Sequence, residues 1–381
     1  MAVFFEGSTA RTKMEIIMRS LLFSGLLLTI SICTQAKPVI FDNDMAIDDW
    51  AALLYLAHQP EIDILAVTVS ASGESHCEPG LKNTQALLDL PGNIPADIPV
   101  ACGDDYPLDG YFVFPDAWRK DSDTLSGVAL KPSSRVSSQK HAVEVIHEAL
   151  AASKEPVTII ATGPLTNIAQ WLERYPEDKS RLEQLIIMGG NVDAPGNIIV
   201  PLFTAGHPNV SAEWNIFIDP LAADYVFAAG LPISLVGLDV TNSVRVTEKV
   251  AADFKKSVST ASAKFWDQVL DKNDWFIESG EYYFWDTLAV LIAVDPELCE
   301  GDMQRLKVDY KPTVQPWMQT TDTSMPAKRW DGAARAHLDA KTAGTLLADK
   351  QYPPIKVCKK TQPEKVFEEF NRVLNLPSRI L

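Results

Sequence analysis

The chain has 381 residues, 46% of them hydrophobic, enough for one large domain or two ordinary ones. Its formal net charge of −16 speaks against a nucleic-acid backbone or an anionic membrane as partner. Arg11, Lys13 and Arg19 precede an apolar run from Leu21 to Ile32, and Thr34-Gln35-Ala36 has the small residues of a cleavage site. That order is expected of a secretory signal peptide over residues 1–36, leaving a mature domain of residues 37–381 that is exported, periplasmic or secreted. The apolar run is shorter than the roughly 20 residues of a membrane span. Ile32 before Cys33 is bulkier than a lipidation site tolerates, so no stable membrane anchor is expected. Cys77, Cys102, Cys299 and Cys358 show no close metal-type spacing. They are read as buried free thiols, with their pairing left open.

Pro38 to Phe41 reads as a short buried strand that ends abruptly in acid: Asp42, Asp44, Asp48 and Asp49 fall within eight positions. Ala51, Ala52, Leu53, Leu54 and Leu56 then resume the apolar pattern of a helix packed on a sheet. The acids therefore sit at a strand's carboxyl end and on the first turn of the next helix, where open α/β sheets bind ligands. Asp48 and Asp49 alone would be accounted for as complements to the helix N-terminus, but that leaves Asp42 and Asp44 unexplained. Four carboxylates so close repel one another unless a cation neutralises them.

Further along, Ile62–Ser70 reads as a strand, Leu81–Leu90 as a helix and Pro99–Cys102 as a short apolar run. Residues 104–138 are polar and aromatic without clear periodicity, which marks a functional or mobile segment. Helices are expected over Gln139–Ser153, Leu165–Tyr175, Pro220–Ala229, Thr247–Leu270 and Tyr283–Val294. Strands are expected over Val157–Ala161, Leu185–Met188 and Ile233–Leu238. Such alternation predicts an α/β fold, an open and mostly parallel sheet with helices on both faces and the active site at the strand carboxyl ends. No internal repeat or low-complexity linker divides the mature chain.

Several strand ends offer polar groups to one crevice, and these segments resemble the nucleoside hydrolase family. DNDMAIDD (Asp42–Asp49) matches its DxDxxxDD signature. TGPLTNIA (Thr162–Ala169), IIMGGNVDAPGN (Ile186–Asn197), AEWNIFIDPLAA (Ala212–Ala223) and YYFWDTLAV (Tyr282–Val290) match further family segments in order. The resemblance runs from about Pro38 to the C-terminus. It implies hydrolysis of a ribonucleoside N-glycosidic bond to free base and ribose, and a homodimer or homotetramer. It further implies a calcium ion held by Asp44, Asp49, the Thr162 carbonyl and Asp286, with Asp44 as the general base toward water. Asp48, Asn197, Glu213 and Asn215 would bind the ribose hydroxyls, with Met188 against the sugar and Asp42 orienting the turn. Glu74 falls where the family places a residue contacting base or sugar.

In the pyrimidine-tolerant branch the position of Trp285 is usually a histidine, the leaving-group acid. Trp285, with Trp118 in FPDAWRK, resembles instead the purine-preferring inosine–adenosine–guanosine branch, in which two indoles sandwich the base. Two features depart from that branch: Ala46 stands where it carries an asparagine, and TAGHPNVS (Thr204–Ser211) is an insertion. A broad or pyrimidine-preferring hydrolase is the alternative within the family. Outside it, a haloacid dehalogenase-type phosphatase would match Asp42 and Asp44, but Ala46 replaces its Thr or Val. An exported receptor that binds nucleosides without cleaving them would need no complete metal-and-base set.

Overall fold

The computed structural model describes residues 36–108, 114–201, 203–310, 312–313, 337–338 and 341–377. The leader expected over residues 1–36 lies, but for Ala36, outside the described residues. Contacts divide the chain at Gln35/Ala36, and all that follows concerns the second unit.

The strands are β1 (Lys37–Asn43), β2 (Ile62–Val69), β3 (Val100–Cys102), β4 (Val157–Ala161), β5 (Leu182–Met188) and β6 (Ile233–Val236), followed by β7 (Glu300–Val308), β8 (Pro312–Thr313), β9 (His337–Leu338), β10 (Leu346–Ala348) and β11 (Pro354–Lys360). Nine of them form one sheet in the order β10-β7-β11-β6-β5-β4-β1-β2-β3, while β8 and β9 pair separately. All neighbours from β11 to β3 run parallel; β7 runs antiparallel to β11 and to β10. The expected open, mostly parallel α/β sheet is what the chain adopts.

Because successive side chains on a strand point to opposite faces, each central strand feeds two cores. Val39 and Phe41 of β1 pack with the helices Ile47–His58, Ala261–Lys272, Trp285–Val294 and Pro363–Leu374. Ile40, between them, faces the helices Ala142–Ala152, Thr166–Arg174 and Pro220–Ala228. Each such fully buried aliphatic or aromatic side chain contributes about 1.5–3 kcal/mol. The register then sets the site: Asp42 lies beside Thr68 of β2 and beside Ala161 of β4. Three adjacent strands thus end level, and the residues that leave them meet.

Two expectations are corrected. The helix expected over Thr247–Leu270 is two helices, Glu248–Lys255 and Ala261–Lys272. Thr260 caps the second, its hydroxyl accepting the Ala263 N–H at 3.0 Å, so its local preference ends the periodic run. The four cysteines are not free thiols: Cys77 pairs with Cys102 and Cys299 with Cys358, with Cα atoms 5.8 and 5.1 Å apart. The first joins the start of the helix Cys77–Asp89 to the end of β3, the second the residue before β7 to β11, neighbours that spacing alone does not reveal. Among the described residues no helix is long and apolar enough to cross a membrane.

Candidate active site

The acidic turn is held by its own backbone. Met45 adopts φ +60°, a left-handed conformation that is uncommon for a non-glycine residue, and is fully buried. The Asn43 Oδ1 accepts its N–H at 3.0 Å, and its carbonyl accepts the Trp50 indole N–H at 2.8 Å. This reversal turns the chain so that Asp48 and Asp49 come back onto the end of β1. The Asp49 Oδ2 accepts the N–H groups of Ala46 (3.0 Å) and Asp44 (3.2 Å), while its Oδ1 takes the Thr162 hydroxyl at 2.7 Å. Ala46, at the helix N-cap, has no side-chain acceptor, and Asp49 supplies the missing cap contact.

Around this turn the acids are buried: Asp44 is 1% exposed, Asp49 0%, Asp48 4% and Asp286 3%. The Asp286 N–H donates to Asp48 Oδ2 at 2.9 Å, and the Thr287 hydroxyl donates to the Asp48 carbonyl at 3.2 Å. The Asp44 carboxyl lies against that of Asp49, and the Asp48 carboxyl against that of Asp286. Burial pushes the Asp44 carboxyl up to about 6, with the Asp48 charge adding to it. Burial raises Asp48 as well, and holds Asp49 and Asp286 well above the usual range, reinforced by the neighbouring acids. An all-oxygen set whose members must be neutralised by protons or by a cation fits a hard divalent ion. The carboxyls stand here as two close pairs; among the described residues no three acidic, His or Cys side chains converge in metal-ligating geometry.

Close packing fixes Asp44. A Cβ on Gly163 would come within 2.8 Å of the Asp44 Cβ, and one on Gly73 would overlap its carboxylate. The Asp44 Oδ2 accepts the Glu74 N–H at 3.0 Å. Glu74 in turn accepts the Ser122 hydroxyl on Oε2 at 3.0 Å, and burial holds its carboxyl well above the usual range, helped by Asp44. Asp42 lies beneath the turn. Its Oδ1 accepts from Thr68 (2.6 Å) and Asn167 (2.7 Å), its carbonyl accepts the Thr162 N–H, and burial raises it to about 7.

The sugar-side candidates share a second network. The Asn215 Nδ2 donates to the carbonyls of Thr162 (3.0 Å) and Met188 (3.3 Å). Glu213 caps the short helix Trp214–Ile218, taking the N–H groups of Asn215 and Ile216, and also that of Gly190 at 2.8 Å. Burial pushes Glu213 up to about 7 against those three bonds. Asn197 accepts the Trp214 N–H on Oδ1 and its indole N–H on the carbonyl. The structure therefore links Asp42, Asp44, Asp48, Asp49, Glu74, Thr162, Met188, Glu213, Asn215 and Asp286 into adjoining networks, with Asn197 joined through Trp214.

The two tryptophans stand in separate aromatic walls. Trp118 lies on the helix Asp116–Asp123, with ring centroids 5.2 Å from Trp214 and 5.4 Å from Phe203. Trp285 lies 5.5 Å from Tyr283, 6.1 Å from Tyr282 and 6.3 Å from Phe276. The first wall adjoins Glu213-Trp214-Asn215, the second adjoins Asp286. Within the segment 104–138, the Asp116–Asp123 helix is tied to the acid side: Arg119 donates to the Ala71 and Ser75 carbonyls, and the His76 ring meets Asp123 at 2.7 Å. In the insertion Thr204–Ser211 the buried Asn209 donates to the Ala343 carbonyl and accepts the Ala212 N–H, while Val210 is exposed.

Sequence reasoning passed over Asn167, Arg119, Ser122 and Asp239. Asn167 stood inside the quoted TGPLTNIA segment, one helical turn past Gly163, so its place was accessible. Asp239 accepts the N–H groups of Val192, Asp193 and Ala194, holding the loop that carries Asn197. A strand-terminal acid was its only signal.

A turn of paired buried acids at the carboxyl ends of parallel strands, with aromatic residues beside it, stands where open α/β sheets bind their ligands. Residues 39–368 match the family described as inosine-uridine preferring nucleoside hydrolase, and the chain belongs to that family. It is an enzyme that cleaves the N-glycosidic bond of nucleosides. It is 35% identical over 237 residues, 62% of this chain and 71% of the other, to a pyrimidine-specific ribonucleoside hydrolase RihA from Photobacterium profundum. Its fold matches an inosine-uridine preferring nucleoside hydrolase from Bacillus anthracis (TM-score 0.69, 22% identity, 89% of this chain and 99% of that one). It matches equally a purine-preferring ribonucleoside hydrolase from Gardnerella vaginalis (TM-score 0.68, 24% identity, 90% and 99%).

Proposed function

We propose that this enzyme is an exported, calcium-dependent ribonucleoside hydrolase with a preference for purine bases. The observation that carries the preference is Trp285, an indole in an aromatic wall immediately before Asp286. A stacked indole favours a large, electron-poor departing base and supplies no proton of its own.

Asp44, Asp49, Asp286 and the Thr162 carbonyl are the groups that would hold the ion, which would supply Lewis acidity that makes a bound water easier to deprotonate. Asp44, whose Oδ2 accepts the Glu74 N–H, is the carboxylate that would take a proton from the attacking water. Asp48, Asn197, Glu213 and Asn215 orient the ribose, and Met188 packs on the sugar. Trp118 and Trp285 hold the base as its bond to the sugar lengthens. Glu74 contacts base or sugar from the loop beside Asp44, while Asp42 keeps the turn in place.

Export is supported by the leader composition and by the two disulfides, which suit an oxidising compartment. Homodimers or homotetramers are the assembly we expect, with no membrane anchor. A second reading has its own support: the Photobacterium relative is pyrimidine-specific, so a pyrimidine or broad preference is the competitor.

The deciding experiment measures ribose release from inosine, guanosine, adenosine, uridine and cytidine, with calcium and after chelation. Purine-only release, abolished by the chelator, supports the whole proposal. Uridine cleaved at a comparable or higher rate sinks the purine preference and leaves the hydrolase. Undiminished turnover after exhaustive chelation sinks the calcium role.

A further inference from the structure

The two aromatic walls lie on separate segments of the chain, yet one polar link runs between those segments. Asp121, one turn beyond Trp118 on the same helix, accepts the Ser126 hydroxyl on Oδ2 at 2.7 Å. The same hydroxyl oxygen accepts the Asn273 Nδ2 at 3.0 Å. Asn273 is 4% exposed, its amide is also donated to the Val269 carbonyl, and its own carbonyl accepts the Phe276 N–H at 3.0 Å. Phe276 then stacks on Tyr282 at 5.0 Å and lies 6.3 Å from Trp285. One hydroxyl thus couples the segment that carries Trp118 to the segment that supports Trp285.

The link is built at a conformational cost. Leu125 and Ser126 have φ of +53° and +52°, followed by Gly127 at +75°. Two consecutive non-glycine residues in left-handed conformation persist only where the surroundings over-determine them. Leu125 does so by burying its side chain in the main core, which aims the next residue's hydroxyl at Asp121 and Asn273. The same helix is also tied to the acid side, by Arg119 at its middle and by Ser122 and Asp123 beside Asp121. What the bridge adds is a tie across to Asn273, in the segment behind the other wall.

We propose that Ser126 and Asn273 are positioning residues that set the gap between the two aromatic walls and thereby the size of nucleobase the enzyme accepts. This rests on the proposed role of Trp118 and Trp285 in holding the base. Neither residue touches Asp44, Asp48, Asp49 or Asp286, so the sugar side and the proton transfer from water stay as they are when the bridge is cut.

The test compares Trp118→Ala, Ser126→Ala, Ser126→Gly and Asn273→Ala in the full-length enzyme, reading KM and kcat on inosine and uridine and inhibition by free ribose. Trp118→Ala is expected to raise KM for the better nucleoside about tenfold. Each bridge variant is expected to raise it about threefold to fivefold, changing the inosine-to-uridine ratio, with kcat and ribose inhibition within about twofold of the parent. Ser126→Gly separates positioning from strain: it relieves the left-handed backbone, so its melting temperature holds or rises while its specificity shifts as in Ser126→Ala. Bridge variants with unchanged KM beside an impaired Trp118→Ala overturn the proposal and leave the base-stacking reading intact. Parallel losses in kcat, ribose inhibition and melting temperature overturn it too, since they mark a merely structural role. An unimpaired Trp118→Ala overturns the stacking reading and this proposal with it.

Discussion

The acidic turn and the aromatic walls are built by opposite means. The turn is backbone-made: Asp49 binds two N–H groups, Glu213 three, Asp239 three, and Asp48 one from Asp286. Its parts project from adjoining ends of parallel strands, whose register leaves almost no play. The walls are held by contacts between rings and by the bridge through Ser126, with Trp118 on the short helix Asp116–Asp123 and Trp285 at the start of the core helix Trp285–Val294. A site built this way keeps its chemistry rigid while leaving the fit of the base open to small adjustments. That fits a family whose members share one fold but are named for different bases.

The largest break in this comparison is Asp44→Asn. It keeps the shape of the side chain and removes its capacity to take a proton, so kcat is expected to fall by about 10³-fold or more. Because burial and acid–acid repulsion hold these carboxyls above their ordinary range, removing one charge does not destabilise the fold. Ribose release and a thermal melt on the same preparation read both effects. A variant with more than a tenth of parental kcat would remove Asp44 from the role of base.

Smaller, and aimed at the packing beneath the turn, is Gly163→Ala. Its new Cβ would stand 2.8 Å from the Asp44 Cβ, closer than real side chains approach, and the Asp44 backbone offers no room to retreat. We expect kcat to drop about 10- to 100-fold through displacement of a single carboxylate. Full activity would show that the turn is more pliable than its hydrogen bonds imply. By contrast Trp285→Ala acts on a wall: KM for the preferred nucleoside should rise about tenfold, with kcat changed less. If kcat collapses while KM holds, the indole serves the departing base and not its binding.

How much of this could be read before the structure follows the same division. Val157–Ala161 was bounded correctly to the residue, and the strand expected over Pro38–Phe41 lies within the observed Lys37–Asn43, because buried parallel strands are unbroken apolar runs. The acids were legible because four in eight residues have no bland explanation. What escaped depends on distance in the chain. Asn167 reaches Asp42 across 125 positions, and Cys299 and Cys358 meet only once β7 lies against β11. The left-handed Met45 and Ser126 left no composition signal, since nothing but their surroundings forces those angles. The C-terminal strands and the helix Pro363–Leu374 were not assigned at all; β7 is largely exposed along its first half and lacks the apolar signature of its neighbours.

The smallest expected effect lies at Thr260, which has no bond to any residue of the candidate site among those described. A continuous helix over Thr247–Leu270 is what helical spacing favours, yet the chain breaks and restarts there. The Thr260 hydroxyl accepts the Ala263 N–H at 3.0 Å and donates to the Leu374 carbonyl at the end of the last helix. Thr260→Ala loses both bonds and should cost about 1–2 kcal/mol of stability, with kcat and KM unchanged on every nucleoside. Denaturant unfolding monitored beside the activity assay measures it. An altered base preference in this variant would mean that the helix Ala261–Lys272, which leads directly into Asn273, transmits its position to the aromatic wall. The boundary between rigid chemistry and adjustable fit would then extend through the core of the enzyme, beyond the short helices at its mouth.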